Sequence, residues 1–134
     1  MRPTMAEPNA ELVRRGYDAL ARHDSIALRA LVAEDVTWRV PGRGPLSGDY
    51  HGVERVLALL AKRRQLSSDS FRIKVVEMLA DRERVAVICV VSAERFGQYW
   101  SAPALHLWRM HSEKATDVCE FQLDQHGEAE FWAA

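Results

Sequence analysis

Four long runs of β-forming residues stand almost end to end over the second half of the chain, and nothing else in the sequence constrains the fold as much. Phe71 to Ala80, Arg84 to Phe96, Tyr99 to His111 and Thr116 to Leu123 are separated only by Asp81-Arg82-Glu83, the turn at Gly97, and Ser112-Glu113-Lys114. A crossover to a parallel neighbour takes about a dozen residues, so connections this short imply an antiparallel meander. The first half reads differently. Leu12, Val13, Tyr17 and Leu20 recur at helical spacing behind a candidate N-cap, Asn9, predicting a helix to about Arg22. Asp24 caps a short second helix through Ile26, Leu28, Ala30 and Leu31. Val53, Val56, Leu57 and Leu60 mark a third, whose last turn carries Lys62, Arg63 and Arg64, read as a solvated basic end that complements the helix dipole. Between the second and third helices, Val36 to Val40 alternates as a strand with Val36, Trp38 and Val40 facing inward, followed by the loop Pro41 to Gly52.

Helices first and a sheet afterwards predict an α+β fold: a curved antiparallel sheet wrapped around three N-terminal helices, with a conical pocket between them. At 134 residues one core is expected, with residues 1–8 as a disordered tail and 9–134 as a single domain. Eighteen basic residues balance nineteen acidic ones, which leaves no electrostatic footprint for nucleic acid. The loop lacks the Lys-Ser/Thr of a phosphate loop and is read as a lid or turn at the pocket mouth, with His51 solvated. Five histidines without HxxxH pairing support no metal site, and Cys89 and Cys119, with no CxxC spacing, read as buried reduced thiols. No long apolar run or leader pattern is seen, so no membrane partner and a cytoplasmic address are expected.

The chemistry is sought in the third run. Its even positions, Trp100, Ala102, Ala104, His106, Trp108 and Met110, share one face of a strand and are apolar or aromatic apart from His106. An imidazole facing the interior is held neutral by desolvation and suits acid–base work or hydrogen bonding to a substrate oxygen. The same ring can equally be a core histidine bonded to a backbone carbonyl. Pro103 cannot donate to a ladder and predicts an edge or a bulge there, which would disturb the parity. Asp124, after Cys119, Phe121 and Leu123, is either a pocket-rim acid/base or the start of an Asx turn with Gln125. Tyr17 and Trp38 serve as pocket wall or as core.

Several motifs follow one another in an order that resembles the nuclear transport factor 2-like superfamily, in its SnoaL-like polyketide cyclase and ketosteroid isomerase branch. They are Tyr17-x-Ala19-Leu20-x-x-x-Asp24, Ala33-Glu34-Asp35-Val36-Thr37-Trp38, Pro41-Gly42 through Gly48-Asp49-Tyr50-His51-Gly52, His106-Leu107-Trp108-Arg109, and the ending Asp124-Gln125 with Phe131-Trp132. The resemblance implies a cystatin-like α+β barrel, no cofactor, and commonly a homodimer packed through the outer face of the sheet, where Tyr99, Leu105 and Leu107 offer apolar surface. The ketosteroid isomerase set, an Asp base with a Tyr and a protonated Asp as oxyanion hole, does not carry over: its positions hold Val40, Gly16 beside Tyr17, and His106. The late-strand Asp of SnoaL-like cyclases has its nearest counterpart in Asp124, and the Arg-x-Asp motif of the superfamily's epoxide hydrolases is not found. The expected function is a cofactor-independent isomerase, cyclase or related lyase or hydrolase that uses proton transfer on a small hydrophobic oxygenated molecule, with His106 and Asp124 as catalytic residues. Tyr17, Trp38, Val40, Trp100 and Trp108 would line the substrate site. The alternative is a non-catalytic ligand-binding or dimerisation module of the same fold.

Overall fold

The computed structural model describes residues 6–133. Its elements run α1 (Ala6–Arg22), α2 (Ser25–Leu31), β1 (Val32–Val40), β2 (Gly48–His51), α3 (Val53–Leu66), β3 (Arg72–Ala80), β4 (Arg84–Arg95), β5 (Gln98–His111), β6 (Lys114–Gln122) and α4 (Gln125–Ala133). The six strands form one sheet in the order β2-β1-β6-β5-β4-β3. The α+β class with a curved sheet is as expected. Every pairing is antiparallel except β1 with β6, which is parallel, so the sheet is mixed. The long excursion through α3 and the meander brings the last strand back beside the first in the same direction, the kind of connection a parallel pair requires.

Several boundaries differ from the sequence reading. The helix α1 starts at Ala6, so Ala6 to Pro8 are helical rather than tail, while residues 1–5 lie outside the described residues. Pro8 is tolerated because a first-turn residue has no intrahelical partner for its N–H. Asn9 is therefore no cap: it is buried, and its Nδ2 donates to the carbonyl of Arg82 at 2.9 Å, pinning the helix to the β3–β4 turn. In α2 only Leu28 is buried, and Ile26 is exposed. The N-cap is as read, with Asp24 Oδ1 accepting from the Ala27 N–H at 3.0 Å. The strand β1 begins four residues early, but its register with β6 slips between Val32 and Thr37, so clean alternation starts only at Val36. Within the expected loop, Gly48–His51 forms an edge strand with Trp38 opposite Tyr50.

Pro103 neither bulges nor ends β5, which runs between β4 and β6. Its carbonyl turns toward β6 and receives the Leu123 N–H at 3.4 Å, beyond the last paired residue, Gln122. The proline nitrogen therefore faces the place where β6 stops and no donor is missed. The parity of β5 survives intact from Ala102 to Met110. In β6 the inward set is Val118, Glu120 and Gln122, so Phe121 and Leu123 lie exposed.

Beyond the three helices expected, the described residues include a fourth, α4. Asp124 caps it, Oδ1 accepting from the Gly127 N–H at 3.0 Å. Gly44 of the Pro41–Ser47 loop packs against it so closely that a Cβ there would sit 3.1 Å from the Ala129 Cα. Trp132 is buried, and Phe131 stacks on Trp100 at 5.5 Å. Arg95 fixes both neighbouring helix ends, donating to the Leu66 carbonyl of α3 at 3.1 Å and the Phe131 carbonyl of α4 at 2.8 Å. These are last-turn carbonyls that the helices themselves leave unpaired. The core between helices and sheet is anchored by Trp38 and Trp108, edge to face at 5.5 Å and both buried.

Candidate active site

The concave face of the sheet and helices α1 to α3 enclose a cavity of about 360 Å³. Leu20, Leu28, Leu57, Leu60, Phe71 and Ile73 form apolar wall, and Tyr17, Trp38, Arg63, His106, Trp108 and Glu120 bring the polar atoms. The volume and the apolar lining suit an organic ligand of two or three rings. The mouth is built by His23, Asp24 and Ser25 at the α1–α2 corner and by Arg64 of α3. The Gly-rich loop expected there packs on α4 instead, and His51 is exposed, bonded to Thr37 Oγ1 at 3.0 Å.

Two hydrogen-bonded sets meet in the cavity. In the first, Trp108 Nε1 donates to Tyr17 Oη at 3.0 Å, and Tyr17 Oη lies 2.8 Å from His106 Nδ1. An indole N–H can only donate, so the tyrosine oxygen accepts there, and Nδ1 is the one acceptor within hydrogen-bond distance of its own proton among the described residues. That leaves the imidazole proton on Nε2, which lies 3.8 Å from the Cys89 sulfur. Burial holds His106 below its ordinary pKa and Arg63 adds to this, Glu120 pulling the other way. The ring is thus a neutral donor at neutral pH. Burial also pushes Tyr17 well above the usual phenol range and the Cys89 thiol up to about 12, so both keep their protons.

The second set surrounds Glu120, which stands directly opposite His106 in the β5–β6 register. Arg63 Nη2 donates to Oε1 at 2.8 Å, Arg63 Nη1 to Oε2 at 3.2 Å, and Trp38 Nε1 to Oε2 at 2.8 Å. Glu120 is 8% and Arg63 4% exposed. Burial alone would raise the carboxyl, but the charge and hydrogen bonds of Arg63, with the Trp38 N–H, outweigh it and hold Glu120 below its ordinary range. The pair cancels its own charge, so the polar floor is neutral as a whole. Among the described residues no three His, Cys, Asp or Glu side chains are grouped to hold a metal ion.

Of the residues singled out from sequence, His106, Tyr17, Trp38 and Trp108 reach the cavity. Val40 is buried in the core away from it, and Trp100 lies beneath α4. Asp124 is corrected outright: it is exposed and occupied as a helix cap, the Asx alternative with a longer continuation. Arg63 is corrected too, being buried where a solvated end was expected. Its signal was its place on the stripe Val56, Leu59, Arg63, the single charge on that face. Glu120 was not singled out because the run Thr116 to Leu123 was read only as a strand, with no face assigned to it. Cys89 is buried and Cys119 half-buried, both as free thiols.

Comparison with known proteins agrees with this geometry. Residues 13–118 match the model of the SnoaL-like domain family. The structure is similar to Bal32a from a soil-derived mobile gene cassette, with TM-score 0.93, 30% identity, and 96% of this chain and 99% of that one covered. It also shares its fold with TerC, a protein co-crystallised with polyporic acid, at TM-score 0.84 and 21% identity, covering 95% of this chain and 99% of TerC. In sequence it is 27% identical over 128 residues to the uncharacterized protein Rv0034 of Mycobacterium tuberculosis, 95% of this chain against 98% of that protein. The match over most of the chain, the mixed sheet and the enclosed cavity place this protein in the SnoaL-like domain family.

Proposed function

We propose that the protein is a cofactor-independent enzyme that moves protons on a small hydrophobic carbonyl compound, with isomerisation or intramolecular aldol cyclisation as the reaction class. The observation that carries this reading is the pairing, across one strand register, of a neutral imidazole protonated on Nε2 and a carboxylate kept ionised by Arg63. Glu120 takes a proton from carbon α to a carbonyl. The C–H electron pair becomes the enolate, and its oxygen accepts from His106 Nε2–H. The enolate is then reprotonated at another carbon by Glu120, or attacks a second carbonyl whose alkoxide Glu120 protonates. Neither route needs an electron carrier. The acid/base part expected of Asp124 thus passes to Glu120. A carboxylate with three donors is a weak base, which restricts substrates to carbon acids activated by two carbonyls or a vinylogous one.

The test is exchange of α-protons in deuterated water, followed by NMR on a panel of 1,3-dicarbonyl, enone and polyketide-like compounds. His106→Ala should slow exchange on an accepted compound by about 10²–10³-fold, the usual loss for one oxyanion donor. Binding without exchange in the unmodified protein, unaltered by His106→Ala, would leave the binding module as the function. We further infer a homodimer through the outer sheet face, supported by Ile88, Leu105 and Phe121, which lie in register across β4, β5 and β6 and are each more than a third exposed.

A further inference from the structure

Arg63, His106 and Glu120, which line the main cavity, also border a second void of about 10 Å³, together with Gln122 and Glu128. That volume is close to the space one water molecule needs, and a water needs polar partners to stay. Gln122 supplies one: its Oε1 is buried without a hydrogen-bond partner among the described residues. Glu120 and Glu128 supply two more, from β6 and from the first turn of α4. We propose that this void holds one water joining Gln122 Oε1, the Glu120 carboxylate and Glu128, and that protons travel through it between solvent and the floor of the cavity.

The bonding closes without a leftover. The water donates one hydrogen to Gln122 Oε1 and one to Glu120, and accepts from protonated Glu128. For transfer, Glu128 gives its proton to the water, the water gives one to Glu120, and the water is re-formed. Glu128, only half-buried, then recovers a proton from solvent. The groups facing Glu128 fit this part. Its pKa is pushed up to about 7, first by burial and then by the Glu120 charge, with Asp124 adding and Arg63 and a Gln122 hydrogen bond opposing. His106, the remaining ionisable neighbour of the void, is neutral at that pH. A carboxyl that titrates near neutrality can release and regain a proton with equal ease. The inference deepens the acid–base reading of Glu120, but its test uses no substrate, so absence of turnover would not touch it.

A high-resolution crystal structure should show a single water within hydrogen-bond distance of Gln122 Oε1 and both carboxylates. A dry void, or a water bound to Gln122 alone, would overturn the proposal. In solution, with side-chain carboxyl carbons labelled, Glu128 should titrate near pH 7 by NMR, and the Glu120 signal should move at the same midpoint. Glu128→Gln should flatten the Glu120 response between pH 5.5 and 8.5. Gln122→Leu, which fills the void and displaces the water, should leave Glu128 titrating while reducing the Glu120 response several-fold. A Glu120 response that survives Gln122→Leu undiminished would mean that the two carboxyls sense each other through space only, and the water path would be rejected.

Discussion

Replacing Arg63 by Met removes one half of a buried ion pair while keeping the hydrocarbon that packs on Phe71, whose ring centroid lies 4.7 Å from the guanidinium carbon. Both partners are nearly enclosed, their side chains 5% and 10% exposed, and two hydrogen bonds go with the guanidinium. Glu120 would be left buried with only the Trp38 N–H. Stranding a buried charge in this way costs about 3–5 kcal/mol, several times the worth of a surface pair. For a domain of this length that amounts to a fall in Tm of roughly 10–20 °C. The pH dependence fixes the sign. Without its cation, Glu120 has a folded-state pKa raised by burial, so stability is retained in acid and lost as pH rises through that value. Urea unfolding followed by tryptophan fluorescence should therefore give a larger deficit at pH 8 than at pH 5. Arg63→Met combined with Glu120→Leu should recover much of the loss, since an apolar replacement leaves no charge stranded. A deficit under about 1 kcal/mol at both pH values, or a double variant whose loss is the sum of the single ones, would refute the reasoning.

Three further outcomes are expected. Tyr17→Phe should leave the Trp108 indole and His106 Nδ1 without their shared partner, lowering stability by about 1–3 kcal/mol in urea melts; a neutral result would argue against these two hydrogen bonds. Glu128 has a raised pKa, so its contribution favours the folded state in acid and is lost between about pH 4.5 and 7. Glu128→Gln should thus gain on the unmodified protein as pH rises across that window, by about 1–2 kcal/mol after solvent screening, and a constant difference would contradict the assignment. Leu105→Glu places a charge at the centre of the apolar outer face, and sedimentation should then find monomer where the unmodified protein sediments as dimer; identical sedimentation would exclude this face as the contact.

The parts of the fold legible in the sequence are those whose pattern is local. The period of Leu12, Val13 and Tyr17 marks α1, and strict alternation in β5 orients His106 without reference to anything else. What was hidden depends on partners far along the chain. Gly48–His51 is a strand only because β1 lies beside it, and α4 has too little amphipathic pattern of its own to announce a helix. The cavity was misread most where burial and polarity part company. In β6 Phe121 lies on a face left exposed while Glu120 goes inward beside Val118, so hydrophobicity alone does not tell the two faces apart. Arg63 looked like an ordinary basic helix end until its acceptor arrived from 57 residues away. A buried ion pair is two ordinary surface residues until tertiary structure joins them.

The single guanidinium of Arg95 bolts α3 to α4 at their carboxyl ends, and this gives the last nine-residue helix a mechanical reach beyond its own contacts. Cutting the chain before Phe131 would free one of the two carbonyls Arg95 grips and loosen its hold on the other, one turn from Arg63. One side chain thus ties the helix that carries Arg63 into the chamber wall to the helix that follows the sheet.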